Sequence, residues 1–300
     1  MLAIIIPYYK LTFFEETLKS LENQTNKRFK VYIGDDASQE SPILLLEKFQ
    51  SKFEFIYHKF EKNLGSISLT KQWDRCIDLA KEEKWLMILG DDDLLAENVV
   101  EEFYLNCSEF ENKANVVRVA SKIVSENNQN ISEKFQHPKW ETASNFYYRK
   151  YKGLTRSSLS EYIFAKNTYL KYGFKDYPLA WFSDDMAWID FAEDRSIYTI
   201  NNSQVMVRIS NINITGKKDN FSVKNQAEEL FYTDLVHKKI HLFNSIQKND
   251  LLMTYEISIK KNRKVVFKEW KFLLKSYFRN GKIVPFLKCF RRFFRDFVLS

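Results

Sequence analysis

Three groups of carboxylates stand out by type and spacing: Asp35-Asp36, Asp91-Asp92-Asp93 and Asp184-Asp185. The triple is the most demanding. Two like charges about 4 Å apart repel by about 4 kcal/mol at an effective dielectric near 20, so three adjacent carboxylates do not receive a diphosphate directly. A hard divalent cation reverses the sign, because Mn²⁺ and Mg²⁺ prefer carboxylate and phosphate oxygens. Asp91, Asp92 and Asp93 therefore read as holding a metal that in turn holds phosphates. A strand-to-helix loop with an Asp cap is the plainer alternative, though three aspartates before Leu94-Leu95 exceed what a cap needs. Asp35-Asp36-Ala37-Ser38 is good turn chemistry. It is also an acceptor for a base N–H or a ribose hydroxyl. Asp184-Asp185 suits a helix cap, or a general base if a carboxylate faces a cleft.

These residues need elements to bring them together. Ala3–Ile6, Phe29–Gly34, Phe53–Tyr57 and Trp85–Leu89 are short apolar runs that predict strands. Between them fall helix patterns. Thr12 and Glu15 match a capping box for a helix to about Gln24, Ser41-Pro42 opens another, and Ala96–Asn106 is a further one. Ser66–Lys81 reads as a helix with Ile67, Trp73, Ile77 and Ala80 on one stripe. The alternation predicts an α/β fold, a mostly parallel sheet flanked by helices. In such sheets ligands bind beyond the carboxyl ends of the strands, where Pro7-Tyr8-Tyr9, Asp35-Asp36 and Asp91–Asp93 all fall. Later segments are less regular. Val116–Val124, Ser158–Phe164, Ile197–Ile200 and Val205–Ile209 predict strands, Ser125–Thr142 a loop, and Asp185–Ala192 a helix. From Val223 onward the chain reads as helical.

Composition removes other classes. The seven glycines are too dispersed for a dinucleotide fingerprint, a nucleophile elbow or a P-loop. Three distant cysteines form no disulfide framework or C-x-x-C site, which suits a reducing cytoplasm. No apolar run is long enough to span a bilayer, and Met1–Pro7 reads as a buried strand instead of a signal peptide. His237 and His241 lie four apart with Lys238-Lys239 between them, a solvated face.

The ordered motifs Ile4-Ile5-Ile6-Pro7-Tyr8-Tyr9, Val31–Ser38, Lys62-Asn63-Leu64-Gly65 and Leu89–Leu94 resemble the family 2 glycosyltransferases, enzymes of GT-A fold, over about residues 1–110 and more weakly to about 215. The resemblance implies a catalytic domain over 1–215, with a nucleotide-binding half (1–110) and an acceptor-binding half (111–215). It also implies inverting transfer from a nucleoside-diphosphate sugar, usually of uridine, to a hydroxyl of a saccharide or lipid-linked acceptor in bacterial surface-polysaccharide synthesis. Pro7, Tyr8, Asp35, Asp36, Asn63, Gly65, Asp91 and Asp92 match the nucleotide site. Asp91, Asp92 and Asp93 cover the D-x-D metal motif for Mn²⁺ or Mg²⁺. Gly90 stands where the usual first Asp falls, and the motif alone leaves open which of the three touches metal. Asp185 matches the catalytic base, with Asp184 its neighbour.

Charge is concentrated at the end of the chain. Residues 251–300 hold 13 Lys/Arg and 3 Asp/Glu, so a net of +10, against +7 for the whole chain. In this helical extension (216–300), Phe286, Leu287, Phe290, Phe293, Phe294, Phe297 and Val298 recur at helical spacing. Lys288, Arg291, Arg292 and Arg295 lie between them. An aromatic stripe opposite a basic face predicts contact with an anionic membrane through 283–299, hence a cytoplasmic enzyme at the inner face of the cell membrane. Two other readings compete: a nucleotide-sugar-binding GT-A protein without turnover, and an RNA-binding protein using the tail. The intact Asp91–Asp93 and Asp184-Asp185 oppose the first. The acidic body without an aromatic-basic signature opposes the second, so no nucleic-acid partner is expected.

Overall fold

Ile4-Ile5-Ile6 and their neighbours are buried on both sides, as the uninterrupted apolar run requires of a central parallel strand. The computed structural model describes residues 1–127, 129, 131–210 and 220–298, with backbone only for 297 and 298. The described residues fall into two units. One comprises Met1–Asp176 and the chain from Ser183 through the last strand; the other comprises Tyr177–Phe182 and the helices from Phe221 onward.

The first unit is built on a nine-stranded sheet. Its strands are β1 (Leu2–Tyr8), β2 (Phe29–Asp35), β3 (Phe55–Lys59), β4 (Trp85–Ile88), β5 (Leu94–Leu95), β6 (Val116–Val124), β7 (Trp140–Thr142), β8 (Tyr162–Ala165) and β9 (Ser196–Arg208). The order is β3-β2-β1-β4-β8-β6-β9-β5, with β7 also on β9. β3 through β4 are parallel, as the strand–helix alternation predicts. β6 and β9 are parallel too, whereas β8, β5 and β7 run antiparallel to their neighbours. One end of the sheet thus gathers the carboxyl ends of β1, β2, β4, β6 and β9 and the amino end of β8. Pro7, Tyr8, Asp35, Asp36 and Asp91–Asp93 lie at that end, Asn63 and Gly65 follow the carboxyl end of β3 beside it, and Asp184-Asp185 belong to a helix, α8.

The helices of this unit are α1 (Phe14–Glu22), α2 (Ile43–Glu47), α3 (Leu69–Ile77), α4 (Val99–Leu105), α5 (Cys107–Phe110), α6 (Ala143–Tyr151), α7 (Lys166–Tyr172) and α8 (Ser183–Ala192). Several local expectations fail. The Thr12–Glu15 capping box does not form: the N-cap is Phe13, without a side-chain bond, and Glu15 pairs with Lys19 one turn on. The Ser66–Lys81 helix begins only at Leu69, capped by Ser68, whose hydroxyl accepts from the Lys71 amide at 3.2 Å. Ile67 therefore precedes the helix and is 81% exposed, and the buried face runs through Thr70, Gln72, Cys76 and Ile77. The two strands expected over Ile197–Ile200 and Val205–Ile209 are one strand. The polar Asn201–Gln204 stretch between them is a register irregularity against β6, not a break.

The second unit consists of α9 (Phe221–Asp234), α10 (Ser245–Asn262), α11 (Phe267–Arg279) and α12 (Ile283–Phe293), with short turns including Phe294–Val298. The helical character predicted from Val223 onward is met. Trp270, Leu251, Leu252, Tyr255, Leu273 and Tyr277 are buried in it. The expected division of α12 into an aromatic stripe and a basic face is not what forms. Phe293 packs on Trp270 at 5.8 Å. Arg292 turns inward, donating to the buried Glu256 at 2.8–3.0 Å, and Arg295 is tied to Asp296. A buried carboxylate requires a cation, so one of the predicted solvent-facing arginines is drawn into the helical core. The Phe297 and Val298 side chains lie outside the described residues.

Candidate active site

A cavity of about 270 Å³ opens at the carboxyl end of β1 and β2, lined by Pro7, Tyr8, Tyr9, Lys10, Asp36, Asn63, Gly65, Ser66, Leu69 and Gln72. Five of the residues predicted for nucleotide binding, Pro7, Tyr8, Asp36, Asn63 and Gly65, therefore share one wall. They come from the end of β1, the turn after β2 and the loop before α3.

The turn after β2 separates its two aspartates. Asp35 is fully buried and is absent from the cavity lining. Its Oδ1 accepts the Ser38 amide at 2.7 Å and its Oδ2 the Tyr57 hydroxyl at 2.6 Å. It thereby holds a turn in which Ala37 takes a φ of 54°, a left-handed conformation that a non-glycine residue keeps only under such constraint. Asp36 faces the other way. Its Oδ1 and Oδ2 accept the amides of Leu64 and Gly65 at 2.7 and 2.9 Å, and Arg75 of α3 pairs with it. Gly65 is needed for this approach, since a Cβ there would stand 2.6 Å from Asp36 Oδ2. Asp36→Ala leaves two amides and a guanidinium without their acceptor. We expect a loss of about 2 kcal/mol in urea unfolding, and a protein of unchanged stability would show that the loop is held otherwise.

The triple aspartate joins the same rim. Asp91 Oδ2 accepts the amides of Tyr9 and Lys10 at 2.8 and 3.0 Å, both residues of the cavity wall. Asp93 is buried, with Oδ1 on the Arg208 amide at 2.9 Å and Oδ2 on the Ser160 hydroxyl. The only donor to the Asp92 carboxylate among the described residues is its own amide. Burial, then the neighbouring Asp93 and Asp91, push it up to about 8. Gly90 carries no side chain beneath these groups, and a Cβ there would meet Asp92 Oδ1 at 3.0 Å and Asp93 Oδ2 at 3.1 Å.

Among the described residues no three His, Cys, Asp or Glu side chains are arranged to hold a metal ion. By donor chemistry the loop still fits a hard divalent cation. Carboxylate oxygens of Asp92 and Asp93 converge over Gly90, and their crowding is the repulsion a cation relieves. A Mg²⁺-type ion takes only one or two protein carboxylates when phosphates and water complete its shell.

The pair Asp184-Asp185 sits in the first turn of α8, where the helix dipole favours negative charge. Asp185 is buried, and Lys150 of α6 donates to both of its oxygens at 2.6 Å. Burial raises its pKa, Lys150 opposes this, and Asp184 adds to it, leaving Asp185 at about 6. Burial depresses the Lys150 ammonium, but Asp185 and Asp184 outweigh that and its pKa rises. The link to the triple aspartate is the turn Leu159–Glu161 ahead of β8. Ser160 holds Asp93, while the buried Glu161 next to it acts on Asp185 by charge.

Four residues of this assembly were not singled out in the sequence. Arg208 closes β9: its Nε donates to the Asp92 carbonyl at 2.9 Å, and its guanidinium pairs with Glu16 and lies 4.2 Å over Phe13. The signal available was a cation interrupting the apolar run Val205–Ile209. Arg75 lies one helical turn from Lys71 in α3 and carries no distinguishing pattern. Lys150 lies in α6, for which the sequence predicts no element, and Ser160 lies in a short turn, Leu159–Glu161, where a strand over Ser158–Phe164 is expected.

Residues 3–178 match Glycosyl transferase family 2. The chain is a family 2 glycosyltransferase. This glycosyltransferase superposes on TarS of S. aureus (residues 1–349) in complex with UDP-GlcNAc with a TM-score of 0.67 at 14% identity, covering 95% of this chain and 82% of that one. Against the UDP complex of the same protein the TM-score is 0.63 at 15% identity, with the same coverage. At such identity the likeness establishes the GT-A fold. Comparison with curated proteins gives no match. The enzyme's described residues contain no helix long and apolar enough to cross a membrane.

Proposed function

We propose that the enzyme transfers a sugar from a nucleoside-diphosphate sugar, a UDP-sugar, to a hydroxyl of a saccharide or lipid-linked saccharide, with inversion. We further propose that it does so in bacterial surface-polysaccharide synthesis, at the cytoplasmic face of the cell membrane. The observation that carries the reading is the shared rim: the cavity of Pro7, Tyr8, Asp36, Asn63 and Gly65 is hydrogen-bonded through Tyr9 and Lys10 to Asp91. A base and ribose have a walled site there, and their phosphates have carboxylates within one loop. TarS of the same fold has been crystallised with UDP and with UDP-GlcNAc, which supports a uridine donor.

In this reading Asp36 accepts from the base. A carboxylate has about four acceptor sites, and Leu64, Gly65 and Arg75 occupy three. Asp35 shapes the turn that presents it. Asp91, Asp92 and Asp93 would hold Mn²⁺ or Mg²⁺, which when bound supplies charge neutralisation for the departing diphosphate. Asp185 takes the proton of the acceptor hydroxyl as that oxygen attacks the anomeric carbon, and Asp184 biases its proton affinity. Lys150 takes one acceptor site on each Asp185 oxygen, and the second site on each remains for the acceptor hydroxyl.

Thermal melting with UDP, GDP and their sugars, each with and without Mn²⁺, tests this. A ligand at about 100 times its Kd adds about 2.7 kcal/mol to the native state. We expect uridine nucleotides with Mn²⁺ to raise the melting temperature most. A preference for GDP-sugars, or indifference to all of them, overturns the donor assignment.

A further inference from the structure

We infer that one face of the second unit, formed by α12 and the end of α11, is a docking surface for an anionic lipid bilayer. Ile283, Val284, Leu287, Phe290 and Phe294 are 75%, 61%, 56%, 48% and 47% exposed. At that spacing they share one side of the helix. Phe278 at the end of α11, 72% exposed, extends the patch and packs on Phe286 at 5.8 Å. The opposite side of α12 is already occupied, by Cys289 in the core, Phe293 on Trp270 and Arg292 on Glu256. The exposed apolar residues are thus a second face, beyond what the helix needs to fold.

Charge selects the occupant. Residues 264–296 contain two acids, Glu269 and Asp296, and both are spent internally, on Arg263 and on Lys260 and Arg295. Lys264, Lys268, Lys271, Lys275, Arg279, Lys282, Lys288 and Arg291 are all exposed, and none has an acidic partner among the described residues. Lys271, Lys275 and Arg279 fall four apart along α11 and lead to Phe278; Lys282, Lys288 and Arg291 flank the α12 patch. A second copy of this chain would bring the same uncompensated cations face to face. An anionic bilayer accepts both features together: apolar side chains enter the headgroup boundary and cations meet lipid phosphates. The inference rests on the proposed placement at a membrane, not on sugar transfer, so donor binding and lipid binding can fail separately.

Flotation of the full chain with phosphatidylcholine vesicles containing phosphatidylglycerol, against phosphatidylcholine alone, tests it. We expect recovery with the anionic vesicles only, falling as salt rises. Lys288→Gln with Arg291→Gln should weaken partition about fivefold per charge removed. Leu287→Asp with Phe290→Asp should abolish flotation while UDP binding and the melting temperature stay at the parent values. Equal recovery on both vesicles, or unchanged flotation in both double variants, overturns the proposal. So does a dimer in sedimentation that Leu287→Asp with Phe290→Asp dissociates while no vesicle is bound.

Discussion

Asp185→Asn is expected to lower kcat for transfer by about 10³, the middle of the range for a lost general base. The donor KM should stay near the parent value, because Asp185 is not among the residues lining the proposed nucleotide cavity. The substitution is nearly isosteric, and the fold should hold. A variant with parental kcat removes Asp185 from the chemistry. The same residue sets a pH dependence. With Asp185 at about 6, the basic form dominates above that value, so kcat/KM should fall about tenfold per unit on the acid side. Lys150→Met takes away the cation that holds the carboxyl down. Burial and Asp184 then act unopposed, and the acid limb must move to higher pH. A limb that stays in place would show that Lys150 supports α6 and α8 without tuning the base.

Stability should follow the opposite slope. Asp185 has a folded pKa above the ordinary carboxylate value of about 3.9, so between about pH 4 and 6 the folded state binds more protons than the unfolded one. Its contribution to stability therefore declines as pH rises through that window and is flat above it. A buried carboxyl held above its ordinary value suits the proton-accepting role proposed for Asp185, while its ion pair with Lys150 also holds α6 to α8.

The parts of this molecule that were legible in its sequence are those set by local pattern. Four apolar runs separated by helix signals dictate the parallel half of the sheet, and the position of Asp35-Asp36 and Asp91–Asp93 after strands puts them at one end. What could not be read depends on partners remote in the chain. Asp35 and Asp36 are adjacent and chemically identical, yet one is the keystone of a turn and the other a cavity wall, because Tyr57 and Ser38 claim the first while Leu64, Gly65 and Arg75 claim the second. Ser160 reaches Asp93 across 67 positions, and Arg208 reaches it across 115. Neither leaves a local trace. The basic tail shows the same limit: a helical wheel places Arg292 with Arg291 and Lys288, but the buried Glu256 takes Arg292 out of that set.

Asp92→Asn should separate activity from stability. Asp91 is fixed by two amides, and Asp93 by Ser160 and the Arg208 amide, so replacing either disturbs the loop as well as its charge. Asp93→Asn is expected to abolish transfer for both reasons. Asp92 is only half-buried, has its own amide as its one donor among the described residues, and sits against two like charges. With Asp92 at about 8, the proton it carries below that pH already relieves the repulsion and Asn mimics this neutral form, so the apo protein should melt at about the parental temperature. If the carboxylate serves the departing diphosphate, the same change should cost about 10² to 10³ in transfer, the scale on which loss of a prepositioned charge-stabilising group is felt. The extra stabilisation that Mn²⁺ gives in the presence of UDP should vanish with it. Chelation of the parent enzyme should reproduce the activity loss and leave the variant's residual rate unchanged. Parental transfer by Asp92→Asn, with undiminished response to Mn²⁺, would leave Asp91 and Asp93 as the groups that matter and reduce Asp92 to a spectator of their crowding.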